Sequence, residues 1–127
     1  MAVTKTLCRI NDIPDGGAIE VGVVSERDSI RDSLMLTRRG AAVRAYRNIC
    51  PHAGRPLDWS PGQFLIEDGF VICTAHGAMF RLESGECVSG PCRGAHLASV
   101  AVESRGDEVV LEGSEQVEST VFPSTAR

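Results

Sequence analysis

No stretch of this 127-residue chain stays apolar for long enough to cross a bilayer. Nor does the N-terminal MAVTKTLCRI contain the apolar segment of a secretory signal; it reads directly as a strand. A cytoplasmic protein with no membrane attachment is the expectation. A basic excess is missing as well: 13 Lys and Arg against 17 Asp and Glu leave a net charge of −4. A general nucleic-acid binder needs a basic face to meet phosphates, so that class is set aside. Amphipathic helical periodicity beyond two turns is absent, and so are internal repeats and any sign of a second domain.

What is there suits one domain. The chain is 43% hydrophobic and 24% charged, large enough to bury an ordinary core without disulfide staples. Short strands divided by turn signals predict an all-β fold, an antiparallel sandwich or barrel. Val3–Ile10 reads as a first strand, IPDGG (13–17) as a turn and Ala18–Val24 as the next strand. The polar run SERDSIRD (25–32) reads as a loop, followed by a hairpin of Ser33–Thr37 and Ala41–Arg47 across Arg38–Gly40. Leu97–Glu103 and Glu108–Leu111 make another hairpin across SRGD, with Val100, Val102, Val109 and Leu111 alternating as half-buried strands require. The stretch EDGFVICTAHGAMFRLESGECV reads as strand, loop, strand, turn, strand. Gly113–Arg127 is a polar tail with little to pack except Val117, Val121 and Phe122, expected either to be disordered or to lie across the body. One domain over 1–112 and a tail over 113–127 are expected.

Charge is unevenly spread. From Leu34 to Leu57 there are Arg38, Arg39, Arg44, Arg47 and Arg55 and no acidic residue, whereas Glu103 to Glu118 carry six acidic residues against Arg105 alone. Solvated surface is the ordinary explanation; the sharper one is a dipolar protein whose partner docks by charge complementarity.

Five cysteines (Cys8, Cys50, Cys73, Cys87 and Cys92) in such a chain read as ligands or buried thiols before disulfides. Cys8 falls in the first strand as a small buried hydrophobe. Cys87 and Cys92 flank SGP closely enough to meet, and read as reduced thiols. Cys50 and Cys73 belong to CPHAG and CTAHG, two loop stretches that each join a cysteine to a histidine and close on glycine. Cys50-x-His52 and Cys73-x-x-His76 let both side chains of each loop reach one centre. His96 has no such partner nearby. Ligand type alone suggests a structural zinc site. Zinc fingers, however, usually group two cysteines in one half and two histidines in the other, and here each half carries one of each. That mixed arrangement suits a binuclear cluster, with thiolates on one iron and imidazoles on the second. A catalytic Cys–His pair leaves the second Cys and His without a role and has no visible orienting residue.

CPHAGRPL followed by CTAHGAMFRLESGECVSGPC resembles the two ligand loops and the proline loop of the Rieske [2Fe–2S] family. The resemblance is specific over about residues 46–92, which would form a small cluster-binding subdomain on the β-sandwich. It implies one [2Fe–2S] cluster per chain, with Cys50 and Cys73 on the buried iron and His52 and His76 on the outer iron through Nδ1. Gly54 and Gly77 would let backbone N–H groups approach the sulfurs, and Pro91 would cover the cluster from a third side. The segment DWSPGQFLIED lengthens the gap between the loops by a few residues relative to the commonest members.

Replacing two thiolates by neutral imidazoles removes negative charge that opposes an added electron, so family potentials span roughly −150 to +300 mV. The respiratory branch reads CTHLGC and CPCHGS-x-Y; its extra cysteines form a disulfide, and its Ser and Tyr donate hydrogen bonds to sulfur. The matching positions here are Arg55, Ala75, Ala78 and Phe80. With those donors missing, a potential at the low end is expected. Cys92, beside Pro91, reads as an inert thiol. The resemblance implies a soluble Rieske-type ferredoxin, an electron carrier and not itself an enzyme. It would pass electrons from an NAD(P)H-dependent flavin reductase to an oxygenase or another oxidoreductase. The alternative is a non-catalytic Rieske-like small subunit of a larger oxidoreductase such as a nitrite reductase.

Overall fold

A computed structural model describes residues 5–25, 31–51, 54–73, 77–111 and 119–123. The chain is built almost wholly of β-strands: β1 (Lys5–Arg9), β2 (Ala18–Ser25), β3 (Arg31–Arg39), β4 (Ala42–Arg47), β5 (Leu65–Glu67) and β6 (Phe70–Cys73). They are followed by β7 (Ala78–Arg81), β8 (Cys87–Ser89), β9 (Ser99–Val100), β10 (Val102–Arg105), β11 (Glu108–Leu111) and β12 (Ser119–Pro123). A single 3-10 turn, Ile10–Asp12, is the only helical element among the described residues. The all-β architecture expected from the turn spacing is the one observed.

Three sheets form, ordered β1-β11-β10, β12-β2-β3-β4-β9 and β5-β6-β7-β8, with every named strand pair antiparallel. The five-stranded sheet divides two cores because successive side chains of a strand point to opposite faces. Leu34 and Leu36 of β3, with Val21, Val23 and Ala45, join Leu7 and Val109 in one buried cluster. Met35 and Tyr46, cross-strand partners in the register of β3 and β4, join Val71, Phe80, Leu82 and Leu97 in the other. Leu34, Met35, Leu36 and Thr37 are consequently all buried, although only alternate residues share a face.

Tyr46 fastens the four-stranded sheet to the central one. Its hydroxyl donates to the carbonyl of Leu82 at 2.8 Å. Its ring also lies where a Cβ on Gly85 would stand, 2.9 Å from Cε1. Burial pushes the phenol above its ordinary pKa, and of the charges nearby Arg44 opposes the rise and Glu83 adds to it.

The strand pattern departs from expectation in two places. Leu97–Glu103 is two strands: β9 pairs with β4 while β10 pairs with β11, so the chain crosses between sheets at Ala101. The run 25–32 is not loop throughout, since Ser25 ends β2 and Arg31–Asp32 begin β3; residues 26–30 lie outside the described residues. In the tail, β12 pairs with β2 along Ser119–Pro123, so this part of it lies across the body, one of the two outcomes expected of it.

Tyr46→Phe strips the Leu82 carbonyl of its buried donor at nearly constant volume. A loss of about 1–3 kcal/mol follows, read as a lower urea midpoint with an unchanged denaturant slope.

Candidate metal centre

The two cysteine loops are built alike. After β4 the chain passes through Asn48 and Ile49 to Cys50, whose N–H donates to the Arg55 carbonyl at 2.7 Å, while the Gly54 N–H donates back to the Cys50 carbonyl at 2.8 Å. Cys73 ends β6, and the Gly77 N–H donates to its carbonyl at the same 2.8 Å. Gly54 and Gly77 have φ of 67° and 75°, left-handed values that glycine adopts at little cost. Nothing lies within 4 Å of a Cβ built on either, so the backbone conformation and not crowding calls for glycine at both turns.

Both thiols point inward. Cys50 and Cys73 are 0% and 1% exposed and share one apolar cluster with Ala78, Phe80, Leu57, Cys87 and Cys92. Ala78 opens β7 opposite Cys73 in the register, and Phe80 follows one inward-facing position later. Neither brings a side-chain donor into the cluster. Gly54, Arg55, Gly77 and Pro91 are exposed. His52, Ala75 and His76 lie outside the described residues. Among the described residues alone, no group of three or more His, Cys, Asp or Glu converges to hold a metal. Two desolvated thiols on matched turns are the soft, paired donors that an iron–sulfur centre takes from a protein, so the cysteine half of the arrangement fits such a cluster.

The first loop is held from behind by Asn48, a residue that sequence reasoning missed. Its buried amide donates to Ser33 Oγ and Asp58 Oδ1, both at 3.1 Å, and its Oδ1 accepts the Leu57 N–H at 2.7 Å. Ser33 donates onward to Glu20 at 2.5 Å, and Asp58 accepts the Gly62 N–H at 2.9 Å. The extra segment between the loops thus closes on its own turn. Trp59 stays 60% exposed there, whereas Phe64 packs partly against the core. An Asn two residues before the cysteine and an Asp opening the turn are the signals that point to this brace.

The loop that carries Pro91 is tied to its flanking segments by backbone hydrogen bonds. Gly94 N–H donates to the Cys87 carbonyl at 3.1 Å and Cys87 N–H to the Ala95 carbonyl at 2.8 Å. Gly90, at φ 101°, lies so near β7 that a Cβ there would stand 2.8 Å from the Ala78 Cα. Cys87 and Cys92 do meet: the Cys92 thiol donates to Cys87 Sγ at 3.1 Å, and Cys87 to the Ser89 carbonyl at 3.3 Å. None of the five cysteines forms a disulfide. Burial first, and then the hydrogen bond to Cys87, push the Cys92 thiol up to about 12. Cys8 is half-buried in β1, away from this group, and burial with the Asp12 charge lifts it to about 11. His96 is exposed, and its backbone forms an isolated antiparallel β-bridge with that of Glu86. A cavity of about 540 Å³, lined in part by Arg38, Arg39, Arg44 and Arg81, shares no residue with the cysteine loops.

The family model described as the Rieske [2Fe-2S] domain matches residues 4–111. The chain is similar to the ferredoxin component of biphenyl 2,3-dioxygenase of Rhodococcus jostii (strain RHA1), 26% identical over 88% of this chain and 94% of the relative. It is also similar to the cytochrome b6-f complex iron-sulfur subunit of Chlorobaculum thiosulfatiphilum, 26% identical over 84% of the chain, and the match spans only 51% of that relative's length. The solved ferredoxin of carbazole 1,9a-dioxygenase from Nocardioides aromaticivorans IC177 shares the fold with a TM-score of 0.63 at 21% identity, over 86% of this chain and 96% of that one.

Gly90 and Gly94 separate crowding from backbone strain, since both have positive φ but nothing lies near a Cβ on Gly94. Gly90→Ala should destabilise the protein by about 1–3 kcal/mol more than Gly94→Ala, the added cost of overpacking. Parallel denaturant titrations of the two variants measure the difference.

Proposed function

Because the chain belongs to the Rieske [2Fe-2S] domain family, we propose that it is a one-electron carrier, a Rieske-type ferredoxin serving an oxygenase or another oxidoreductase. The carrying observation is the pair of buried thiols, Cys50 and Cys73, presented by two matched turns within one apolar cluster. In this reading they hold one iron, and His52 and His76, from the same two motifs, hold the other. The bound cluster supplies reversible one-electron exchange. The protein's part is to keep the cysteine side dry and rigid, with Phe80, Leu57 and Val71 excluding water and Asn48 bracing the first loop. The relative matched over nearly its whole length is a ferredoxin component, which favours a carrier over a subunit built into a larger enzyme.

The electron source we propose is an NAD(P)H-dependent flavin reductase, and the setting the cytoplasm. Arg47 and Arg55 are exposed on either side of the first cysteine loop in sequence, so a partner with acidic residues around its electron port is the complementary surface. Ala78 and Phe80, buried without a donor group, favour a potential at the low end of the family range.

Purified protein should contain iron without zinc and show visible absorbance that bleaches and returns over one electron. Cys50→Ser and Cys73→Ser should each lose that iron; full retention in both would falsify the reading. Reversing Arg47 and Arg55 to Glu should flatten or invert the salt dependence of electron transfer to the partner. An unaltered salt dependence refutes the docking face alone.

Ala78→Ser combined with Phe80→Tyr adds two hydroxyl donors beside the cysteines. The midpoint potential should rise in protein-film voltammetry with the cluster intact, and a fall would contradict the low-potential reading.

A further inference from the structure

The cavity of about 540 Å³ has no part in the carrier reading. One of its walls is β3 and β4, and the other is formed by turns of the four-stranded sheet. Phe70 and Arg81, which line it, pair at one end of the β6–β7 hairpin, whereas Cys73 and Ala78 pair at the other, about 10 Å of strand away. On the first wall Arg44 stands opposite Thr37 and Arg39 opposite Ala42. The two arginines are therefore diagonal neighbours on the face that also carries Met35 and Tyr46. Strand geometry sets such residues about 7–8 Å apart, close enough for like charges to repel. Both are exposed, and among the described residues neither forms a hydrogen bond or an ion pair. Arg38 also lines the cavity, but its guanidinium is held by the carbonyls of Ile13 and Gly40. The facing wall is fixed in place. Asp68 and Gly69 make a two-residue hairpin turn with φ of 49° and 84°, and the Leu82 N–H donates to the Gly69 carbonyl at 2.9 Å. Arg81 is set over the Phe70 ring at 5.4 Å, with a Glu86 carboxylate oxygen 3.9 Å from its Nε.

Arg39, Arg44 and Arg81 thus line one cavity from two sheets, and the first two have no carboxylate of the described fold to neutralise them. A guanidinium fork matches the oxygens of an anion in paired hydrogen bonds. A phosphate monoester carries about −1.5 to −2 charge at pH 7, which suits two uncompensated arginines better than a single carboxylate does. The cavity is also lined by two exposed carboxylates, Asp68 and Glu83, on the turns of the facing wall. They oppose a densely charged polyanion such as nucleic acid, and as pure acceptors they suit hydroxyl groups. We propose that this cavity binds a small phosphate ester of a hydroxylated compound, a sugar phosphate or the sugar-phosphate part of a nucleotide. Arg39 and Arg44 take the phosphate, and Asp68 and Glu83 take the hydroxyls. Arg81 adds charge from across the cavity and is kept in place by Phe70. The volume of about 540 Å³ is that of a small-molecule site, which runs from about 300 to 1,000 Å³. The assignment is independent of the reading of Cys50 and Cys73 as ligands.

The test is calorimetric titration of the purified full chain with ribose 5-phosphate, AMP and inorganic phosphate, at about 0.15 M salt so that unspecific charge attraction is screened. Saturable binding of at least one ester, tighter than inorganic phosphate, is expected. AMP as the tighter ester identifies a nucleotide, and ribose 5-phosphate as the tighter identifies a sugar phosphate. Arg39→Ala combined with Arg44→Ala should weaken that binding about tenfold or more, the cost of lost charged hydrogen bonds, while the urea midpoint stays put. Arg93→Ala removes an exposed charge outside the cavity and should leave the binding unchanged. An equal loss in Arg93→Ala marks an effect of net charge and overturns the proposal. So does the absence of saturable binding by either ester, or binding that survives the paired substitution unaltered. Inorganic phosphate binding as tightly as both esters overturns the hydroxylated ligand class. Should the alanine pair not fold, Arg39→Gln with Arg44→Gln keeps most of each stem without the charge and carries the same comparison.

Discussion

A thiol removed from water resists becoming a thiolate, because burial in an apolar setting penalises the charged form. Cys50 and Cys73 are as far from water as the fold allows, and most of what surrounds them is hydrocarbon from Leu57, Val71, Phe80 and Leu97. The two loops that carry them are short turns in which a glycine N–H returns to each cysteine carbonyl and turns the chain back on itself. Dryness also has a use. An electron added to a centre whose surroundings are fixed meets little rearrangement, and donors already in place act more strongly in low dielectric than they would in water.

That dry setting depends on the sheet beneath it. β3 contributes to both cores, so Met35 supports the cysteine cluster while its neighbours Leu34 and Leu36 hold the opposite sheet. The cysteine loops are surface connections, but their anchors are strands: β4 leads into one, and β6 and β7 flank the other. Asn48 extends this rigidity past the end of β4, converting a run of loop into something tied to Ser33, Leu57 and Asp58 at once. A functional loop on a fixed scaffold is the usual solution where position matters. Here the scaffold reaches within two residues of the first thiol.

Much of this is legible in the sequence alone. CPHAG and CTAHG mark two matched loops that begin at buried cysteines, and alternation in HLASVAVE and DEVVLE marks strands, because both signals are local. The departures share a cause: pairings made across long stretches of chain. Leu97–Glu103 carries one unbroken alternation, yet β4 captures its first part and β11 its second, and nothing within the segment announces the division. Asn48 joins residues on both sides of it in sequence, and its polarity alone suggests only a loop. Cys87 and Cys92 are near enough in sequence to meet. That they also share one buried cluster with Cys50 accompanies the seating of Gly90 on Ala78, a contact between segments more than ten residues apart.

The charge asymmetry of the sequence gains an orientation from the fold. The basic run from Arg38 to Arg55 is not one surface. Arg38 spends its guanidinium on the carbonyls of Ile13 and Gly40, at 2.5 and 2.9 Å, and is part of the framework. Arg39 and Arg44 line the separate cavity, while Arg47 and Arg55 flank the first cysteine loop in sequence and are exposed. Glu103, Asp107 and Glu108 belong to β10, β11 and the turn between them, in the sheet that packs on the opposite face of β3 and β4. Asp107 and Glu103 each make an ion pair, with Arg9 at 3.2 Å and Arg105 at 3.4 Å, and cations this near cancel most of their charge as seen from a distance. The acidic residues thus lie across the central sheet from the cysteine cluster, largely balanced by their own neighbours. On the docking face proposed above, an acidic partner would be steered by Arg47 and Arg55 themselves rather than by a dipole of the whole molecule, an effect that salt screens readily.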